Sequence, residues 1–153
     1  SDRNVDEGEH LVAIGNQLYL FKVSERYPSI GVTVLVPVAT STSLSNTFKV
    51  GDTGAVKLGQ TAVALVSVTQ ERVAIGAITA KQEFGTVTGK GGMVTVRTLE
   101  TNIDESLVAG VPLVNAFGDL IGISTAPTER GAFISASDIT GLLAQKATST
   151  PAN

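Results

Sequence analysis

The sequence of 153 residues has no cysteine and no tryptophan, and it has a single histidine. Without cysteine it forms no disulfide, carries no thiol nucleophile and offers no thiolate to a metal ion. A lone histidine has neither a second histidine nor a cysteine beside which it could build a zinc site. The composition therefore excludes thiol enzymes and the common cysteine and histidine metal centres, and no cofactor is expected.

Charge is scarce as well. Charged residues make up 16% of the sequence and the formal net charge is −3. A mildly acidic chain without a lysine and arginine cluster argues against nucleic acid as a partner. No apolar run approaches the length that crosses a bilayer, so no membrane span is expected in this chain. The sequence begins at Ser1 without a methionine, which suggests that upstream sequence was removed.

What the sequence does contain is glycine, valine, threonine and isoleucine, which favour strands and tight turns. The apolar runs predict strands at His10–Ile14, Gln17–Val23, Val32–Val36, Thr61–Thr69, Arg72–Ala80, Met93–Leu99, Pro112–Asn115, Leu120–Ile123 and Ala132–Ile134. Val32–Val36 is almost continuously apolar and is expected to be buried on both faces. Phe84–Gly92 is rich in glycine and is interpreted as a flexible turn.

Polar stretches divide the chain. Residues 1–38 are predicted to form one group of strands, 39–55 a linker that begins rich in serine and threonine, and 148–153 a polar tail. Residues 56–147 hold the remaining strands and one helix. That helix is predicted over Ser135–Ala147, because Ser135 or Ser137 can cap it and apolar residues follow at helical spacing.

The stretch Ser106–Ser124 organises the sequence. Two short apolar runs, Pro112–Asn115 and Leu120–Ile123, flank the turn Ala116–Asp119, which predicts a hairpin. This stretch resembles the segment of trypsin-like serine proteases, especially of the bacterial HtrA branch, that reads G-N-S-G-G-P-L-V-N, then a turn, then V-I-G-I. Weaker similarity extends over most of the chain.

The resemblance implies an all-β, trypsin-like β-barrel fold. Members of that family close each of two barrels with six strands. Only three strands are predicted before the linker, so the first barrel is expected to be incomplete and the second nearly complete, followed by a short C-terminal helix. Three strands leave two open edges, which invite pairing with another chain.

The resemblance also implies that the catalytic positions have degenerated. Ala109 stands where the family has its nucleophilic serine, and alanine has no oxygen to attack a carbonyl. Gly31 aligns with the catalytic aspartate. In the loop that forms the oxyanion hole, Leu107 replaces a glycine and Val108 an asparagine, whereas Gly110 is kept. We expect the apolar side chains of this loop to fill the former cleft.

Other candidate residues have simpler interpretations. His10 lies on the strand after the family's histidine position, and it is more often a packing residue than a base when no partner is present. Ser106 could be a displaced nucleophile, but a turn role is favoured. Four carboxylates match no calcium-loop spacing, and they are Asp104, Glu105, Asp119 and Asp138. Gly89–Gly92 lacks the ending of a phosphate loop and is interpreted as a hairpin tip.

The sequence therefore predicts a proteolytically inactive, trypsin-like pseudoprotease that works by binding protein, either a partner or a second copy, through open strand edges. The resemblance implies an extracytoplasmic location. Two alternatives stay open: a serine endopeptidase whose catalytic residues lie at unrecognised positions, and a fragment of a longer trypsin-like protein.

Overall fold

The computed structural model describes residues 8–39, 44, 47–67, 72–126, 128 and 130–144. These form nine strands and one α-helix: β1 (Glu9–Ile14), β2 (Gln17–Tyr27), β3 (Val32–Pro37), β4 (Thr61–Ser67), β5 (Arg72–Gly89), β6 (Gly92–Thr101), β7 (Pro112–Asn115), β8 (Leu120–Ile123), β9 (Ala132–Ser135) and α1 (Ala136–Leu143). Short 3-10 helices lie at Pro28–Ile30 and Thr53–Ala55. Among the described residues no helix has the length and apolar character that crossing a membrane requires.

The first sheet is antiparallel and has the order β1-β2-β3. Gly15, at a φ of 60°, makes the tight turn between β1 and β2. Within the described part of the chain, β1 and β3 each pair along one side only. The predicted three-stranded, incomplete first barrel is confirmed. Burial of β3 on both faces was wrong, because all six of its residues are only half-buried.

The second sheet closes into a six-stranded barrel in the order β4-β5-β6-β9-β8-β7. It is complete, not nearly complete as predicted. The flexible turn predicted over Phe84–Gly92 was also wrong, since β5 continues to Gly89. β5 contains two bulges, between Ile78 and Ala80 and between Glu83 and Gly85. Gly85, one of the glycines that suggested a turn, lies at the second bulge, and the strand continues beyond it.

The tip of the β5–β6 hairpin packs against the end of α1. A Cβ on Gly89 would lie 2.4 Å from the carbonyl oxygen of Leu142, and one on Gly91 would lie 2.5 Å from that of Ala144. The backbone N–H of Lys90 donates to the Leu142 carbonyl at 3.1 Å. The glycines are needed for this close approach, and the predicted hairpin tip is confirmed.

Two apolar clusters hold the fold together. The first lies inside the barrel and includes Leu99, Leu113, Ile121 and Phe133, all essentially inaccessible to solvent. The second joins the first sheet to the barrel and the helix, and its members are Tyr27, Ile30, Val87, Val96, Ile134, Ile139 and Leu142. Because this second cluster draws on both sheets, the three-stranded sheet is anchored to the barrel by a shared core.

Polar contacts reinforce that junction. Lys90, at the hairpin tip, forms an ion pair with Glu25 of β2 at 2.5 Å, and the hydroxyl of Tyr27 donates to the same carboxylate. Burial, together with the hydrogen bond to Glu25, raises the pKa of Tyr27 to about 12. The hydrogen bond from Lys90 lowers the pKa of Glu25. The carboxylate therefore stays charged between a cation and a hydroxyl.

Residues 47–55, assigned to the linker from sequence, dock on the barrel. Gly51 N–H donates to the carbonyl of Leu120 at 2.9 Å, and Leu120 N–H donates to that of Lys49 at 2.8 Å. Thr53 is fully buried. The domain boundaries stay a prediction, and residues 1–7, 40–43, 45–46 and the predicted tail at 148–153 lie outside the described residues.

The C-terminal helix begins as predicted. The Ser135 hydroxyl accepts a hydrogen bond from the Asp138 N–H at 3.2 Å, so Ser135, not Ser137, is the cap. Asp138 lies in the first turn, where a carboxylate is favoured by the helix dipole. The helix ends at Leu143, and the residues after Ala144 that were predicted to extend it lie outside the described part.

Candidate functional site

The candidate site is the loop between β6 and β7, which carries Ala109, the residue that the resemblance aligns with the nucleophile. Ala109 and Gly110 form a turn immediately before β7. Gly110 has a φ of 97°, in the region that only glycine adopts without strain. Gly110 therefore has a backbone role of its own in this turn.

Ser124, directly after β8, fixes this loop. Its hydroxyl accepts from the Val111 N–H at 2.9 Å and donates to the Val108 carbonyl at 2.7 Å. Its backbone binds the same turn, since its carbonyl accepts from the Gly110 N–H at 2.7 Å and its N–H donates to the Val111 carbonyl at 2.9 Å. Ser124 is buried, and its single hydroxyl proton is donated to a backbone carbonyl and not to a side-chain base.

These bonds also orient the peptide that precedes Ala109. The Val108 carbonyl points at Ser124, and the chain has no cis peptide among its described residues. In a planar trans peptide the C=O and the N–H point in opposite directions. The Ala109 N–H is therefore directed away from Ser124. A backbone donor is still presented at this position, and the alanine itself carries no side-chain oxygen.

The two apolar side chains of the loop lie in different surroundings. Leu107 is half-buried and packs against the core of the barrel. Val108 is 71% exposed. The expectation that the apolar side chains of this loop fill the former cleft stays a prediction for Leu107, which packs against the barrel core, and was wrong for Val108, which is exposed. Because the Val108 carbonyl is held toward Ser124, its side chain is left on the solvent side of the turn.

A small cavity of about 150 Å³ lies beside the loop. Its lining is mostly small and polar: Ser106, Leu107, Ser124, Thr125, Thr128, Arg130, Gly131 and Ala132. The hydroxyl of Thr125, one of the lining residues, is buried without a hydrogen-bond partner among the described residues. Arg130 pairs with Asp104 at 3.1 Å. The cavity thus offers donors and acceptors, and the lining residues that the structure describes include neither a histidine nor a carboxylate.

Each of the four candidate carboxylates forms an ion pair with a lysine or an arginine. Glu105 forms an ion pair with Arg72 at 2.8 Å, and Asp104 pairs with Arg130. Asp119 lies within 3.3 Å of Lys49, and Asp138 binds Arg97. Over the described residues no group of three potential metal ligands comes together. These pairings fit the interpretation of the carboxylates as surface and structural charges.

The other two candidate positions lie in the N-terminal part of the chain, Gly31 between β2 and β3 and His10 on β1. Gly31 ends the 3-10 helix Pro28–Ile30 with a φ of 67° and a ψ of 32°, and its N–H donates to the Pro28 carbonyl at 3.2 Å. His10 is half-buried on β1, opposite Phe21. The residue that sequence reasoning missed is Ser124. A signal was present in the polar pair that follows Ile123, where an apolar strand ends beside the loop.

No protein-family model and no curated protein matches this sequence. Solved structures do. The MamO protease domain from Magnetospirillum magneticum, in its apo form, has 23% sequence identity and a TM-score of 0.55, over 88% of this chain and 74% of that one. The Rv3671c protease of M. tuberculosis in its active form has 18% identity and a TM-score of 0.58, over 94% and 65%.

A serine-to-alanine mutant of Rv3671c from M. tuberculosis H37Rv, in its inactive form, superimposes with 18% identity and a TM-score of 0.55, over 94% of this chain and 72% of that one. The chain has the trypsin-like fold. This confirms the architecture that the hairpin motif implied. The similarity extends over both sheets, so the three-stranded sheet occupies the place of a first barrel in the trypsin-like arrangement.

Proposed function

We propose that this chain is a proteolytically inactive, trypsin-like module that acts by binding protein through the open edges of its first sheet. The observation that carries the proposal is the closed hydrogen-bond system around Ala109. The position aligned with the nucleophile has no oxygen, and the nearby Ser124 hydroxyl is fully engaged. Acyl transfer by a serine needs a free hydroxyl and a base, and this loop supplies neither.

The other two positions of the triad also lack the groups that catalysis needs. Gly31, aligned with the aspartate, adopts a left-handed conformation that closes a 3-10 turn. Glycine has no carboxylate with which to orient an imidazole. The sequence holds one histidine, His10, and it lies on the first sheet. A working triad would need a carboxylate at position 31 and a hydroxyl at position 109, where this chain has glycine and alanine.

The binding half of the proposal follows from strand count. The barrel pairs all six of its strands, whereas β1 and β3 are edges within the described residues. Edge strands present unpaired backbone N–H and C=O groups and accept an additional strand from another chain. Pro37 closes the end of β3 and cannot donate, which limits such pairing to the preceding residues.

Restoring serine at Ala109 is expected to give no activity, because it supplies the oxygen without the base. The Ala109→Ser protein should neither react with a fluorophosphonate probe nor hydrolyse an activated ester above background. Ala116→Ser, in the exposed turn between β7 and β8, is the matched control for a new surface serine. Labelling or hydrolysis by Ala109→Ser beyond that control would contradict the proposed inactivity.

Hydrogen exchange tests the open edges. In dilute protein, the amides of Val34–Val36 that point away from β2 should exchange at near-intrinsic rates, because alternate N–H groups of an edge strand point outward. The amides of β6, paired with β5 and β9, are the internal reference. Slow exchange along all of Val32–Val36 in a monomer would mean that the edge is already covered, and pairing through β3 would be excluded.

A further inference from the structure

The outward face of the β1–β2 hairpin is apolar. Leu11 and Leu18 are each 69% exposed, and Leu20 and Val38 are 38% exposed. Leu11 pairs with Leu20 across the two strands, and Ala13 pairs with Leu18. The Val38 N–H donates to the Leu20 carbonyl, which places Val38 next in the same row. We call these five residues the leucine face.

Among the described residues, the alternation of burial shows that no element covers this face. Along β1 the residues that alternate with it are half-buried, and on β2 Phe21 of the opposite face is buried. Aliphatic side chains directly opposite each other on one sheet face form a continuous surface. Contiguous apolar patches on soluble proteins mark sites of interaction more often than scattered apolar residues do.

Charge limits what can cover the leucine face. At one end of it Glu9 on β1 lies opposite Lys22 on β2, and both are exposed on the same face. At the other end the hairpin turn Gly15–Asn16 and Gln17 are uncharged. An acid on one strand and a base at the same level on its neighbour make the face self-complementary.

We propose that a second copy of this chain covers the leucine face. A two-fold axis parallel to the strands, between β1 and β2, lays β1 of one copy over β2 of the other. It apposes Leu11 to Leu20, Ala13 to Leu18, and Glu9 to Lys22, each pair occurring twice. Such isologous contacts are the commonest in homodimers. Sheets packed in this way lie about 10 Å apart with their strands within about 30° of each other.

The face-to-face dimer rests on the proposed function in one respect: a module that does not catalyse a reaction would act through its binding surfaces. It uses the face of the first sheet and leaves the edge of β3 unpaired. The two are therefore separable. Edge pairing protects the amides of Val32–Val36 from exchange, whereas the face-to-face dimer buries side chains and leaves those amides unchanged.

Leu18→Glu tests the apolar contact. Sedimentation velocity between about 1 and about 100 μM should show a monomer–dimer equilibrium for the wild-type chain. Placing a carboxylate in the buried apolar contact should raise the dimer Kd by about 30-fold or more. Ile75→Glu is the matched control, since Ile75 on β5 is also 69% exposed and lies outside the leucine face. A monomer at all concentrations, or equal weakening by both variants, would overturn the proposal.

A charge exchange tests the register. Glu9→Lys and Lys22→Glu each juxtapose like charges across the axis, so each variant alone should dimerise about 10-fold more weakly than the wild type. Mixed together they restore two opposite-charge pairs between copies, while the pair within each chain stays mismatched. Rescue on mixing can therefore come only from the intermolecular contact.

The mixture should return to the wild-type Kd, and the rescue should shrink as salt is added. If mixing gives no heterodimer while the wild type dimerises, the two copies meet in another register or by strand edges, and the proposed geometry is wrong. A wild-type dimer in which β3 amides become protected would identify edge pairing instead.

Discussion

Replacing Ile121 with alanine should lower the free energy of unfolding by about 2–5 kcal/mol. Ile121 is 1% exposed at the centre of β8 and belongs to the cluster inside the barrel. Its Cγ2 would lie 3.1 Å from a Cβ on Gly51, and its carbonyl accepts from the Thr53 hydroxyl at 3.3 Å. The side chain is enclosed on several sides, so the truncated site has little room to collapse.

Urea unfolding followed by circular dichroism measures the change. Ile75→Ala is the control, because the same three carbon atoms are removed from a side chain that is 69% exposed. Its cost should stay within about 0.5 kcal/mol. A loss below about 1 kcal/mol for Ile121→Ala would show that β8 is not the stability centre of the barrel.

The β7–β8 hairpin could be predicted from sequence because its signals are local. Two apolar runs flank a turn in which Asn115 and Gly118 supply the required chemistry: the Asn115 side chain accepts from the N–H groups of Phe117 and Asp119, and Gly118 has a φ of 83°. The start of α1 was predictable for the same reason, since a cap and its partner lie three residues apart.

The sequence predictions were wrong where contacts between distant segments determine the local structure. Glycine near Phe84 suggested a turn, but in the barrel β5 keeps its partner β6 through two bulges. The docking of Lys49 and Gly51 on β8 was not foreseen for a related reason, because it rests on backbone hydrogen bonds between distant segments, and the linker assignment itself stays a prediction. The apolar run of β3 suggested burial on two faces, yet burial depends on how many strands surround it.

The geometry of the candidate site could not be predicted from the sequence. The alignment of Ala109 with the nucleophile follows from counting back from Pro112 and stays a prediction. That the turn is held by Ser124 does not follow from the sequence, because its partners Val108 and Val111 lie more than ten residues away in sequence. The same hydrogen bonds direct Val108 outward, which a propensity for apolar packing would not predict.

The ion pair between β6 and α1 gives a pH-dependent prediction. Asp138 is 7% exposed. Its Oδ2 accepts from the backbone N–H of Arg97 at 2.9 Å and from Nε at 3.0 Å, and its Oδ1 accepts from Nη2 at 2.6 Å. Burial alone would raise the pKa of Asp138, but the hydrogen bonds and charge of Arg97 outweigh it and lower that pKa.

Asp138→Asn should lower the free energy of unfolding by about 1–3 kcal/mol at neutral pH. The loss is smaller than for a fully buried pair because the Arg97 side chain is 38% exposed and water solvates the charge that remains. Asp104→Asn is the control: Asp104 pairs with Arg130 but is 90% exposed, so its loss should be near zero.

The sign of the pH effect follows from the lowered pKa of Asp138. A carboxyl whose folded-state pKa lies below its unfolded value adds stability above the unfolded pKa of about 4, and this stability disappears as pH falls through the folded-state pKa. Urea unfolding at a series of pH values should therefore show the gap between wild type and Asp138→Asn full at about pH 7 and shrinking below about pH 4. A gap that stays constant down to about pH 2 would mean that Asp138 contributes through packing and not through its charge.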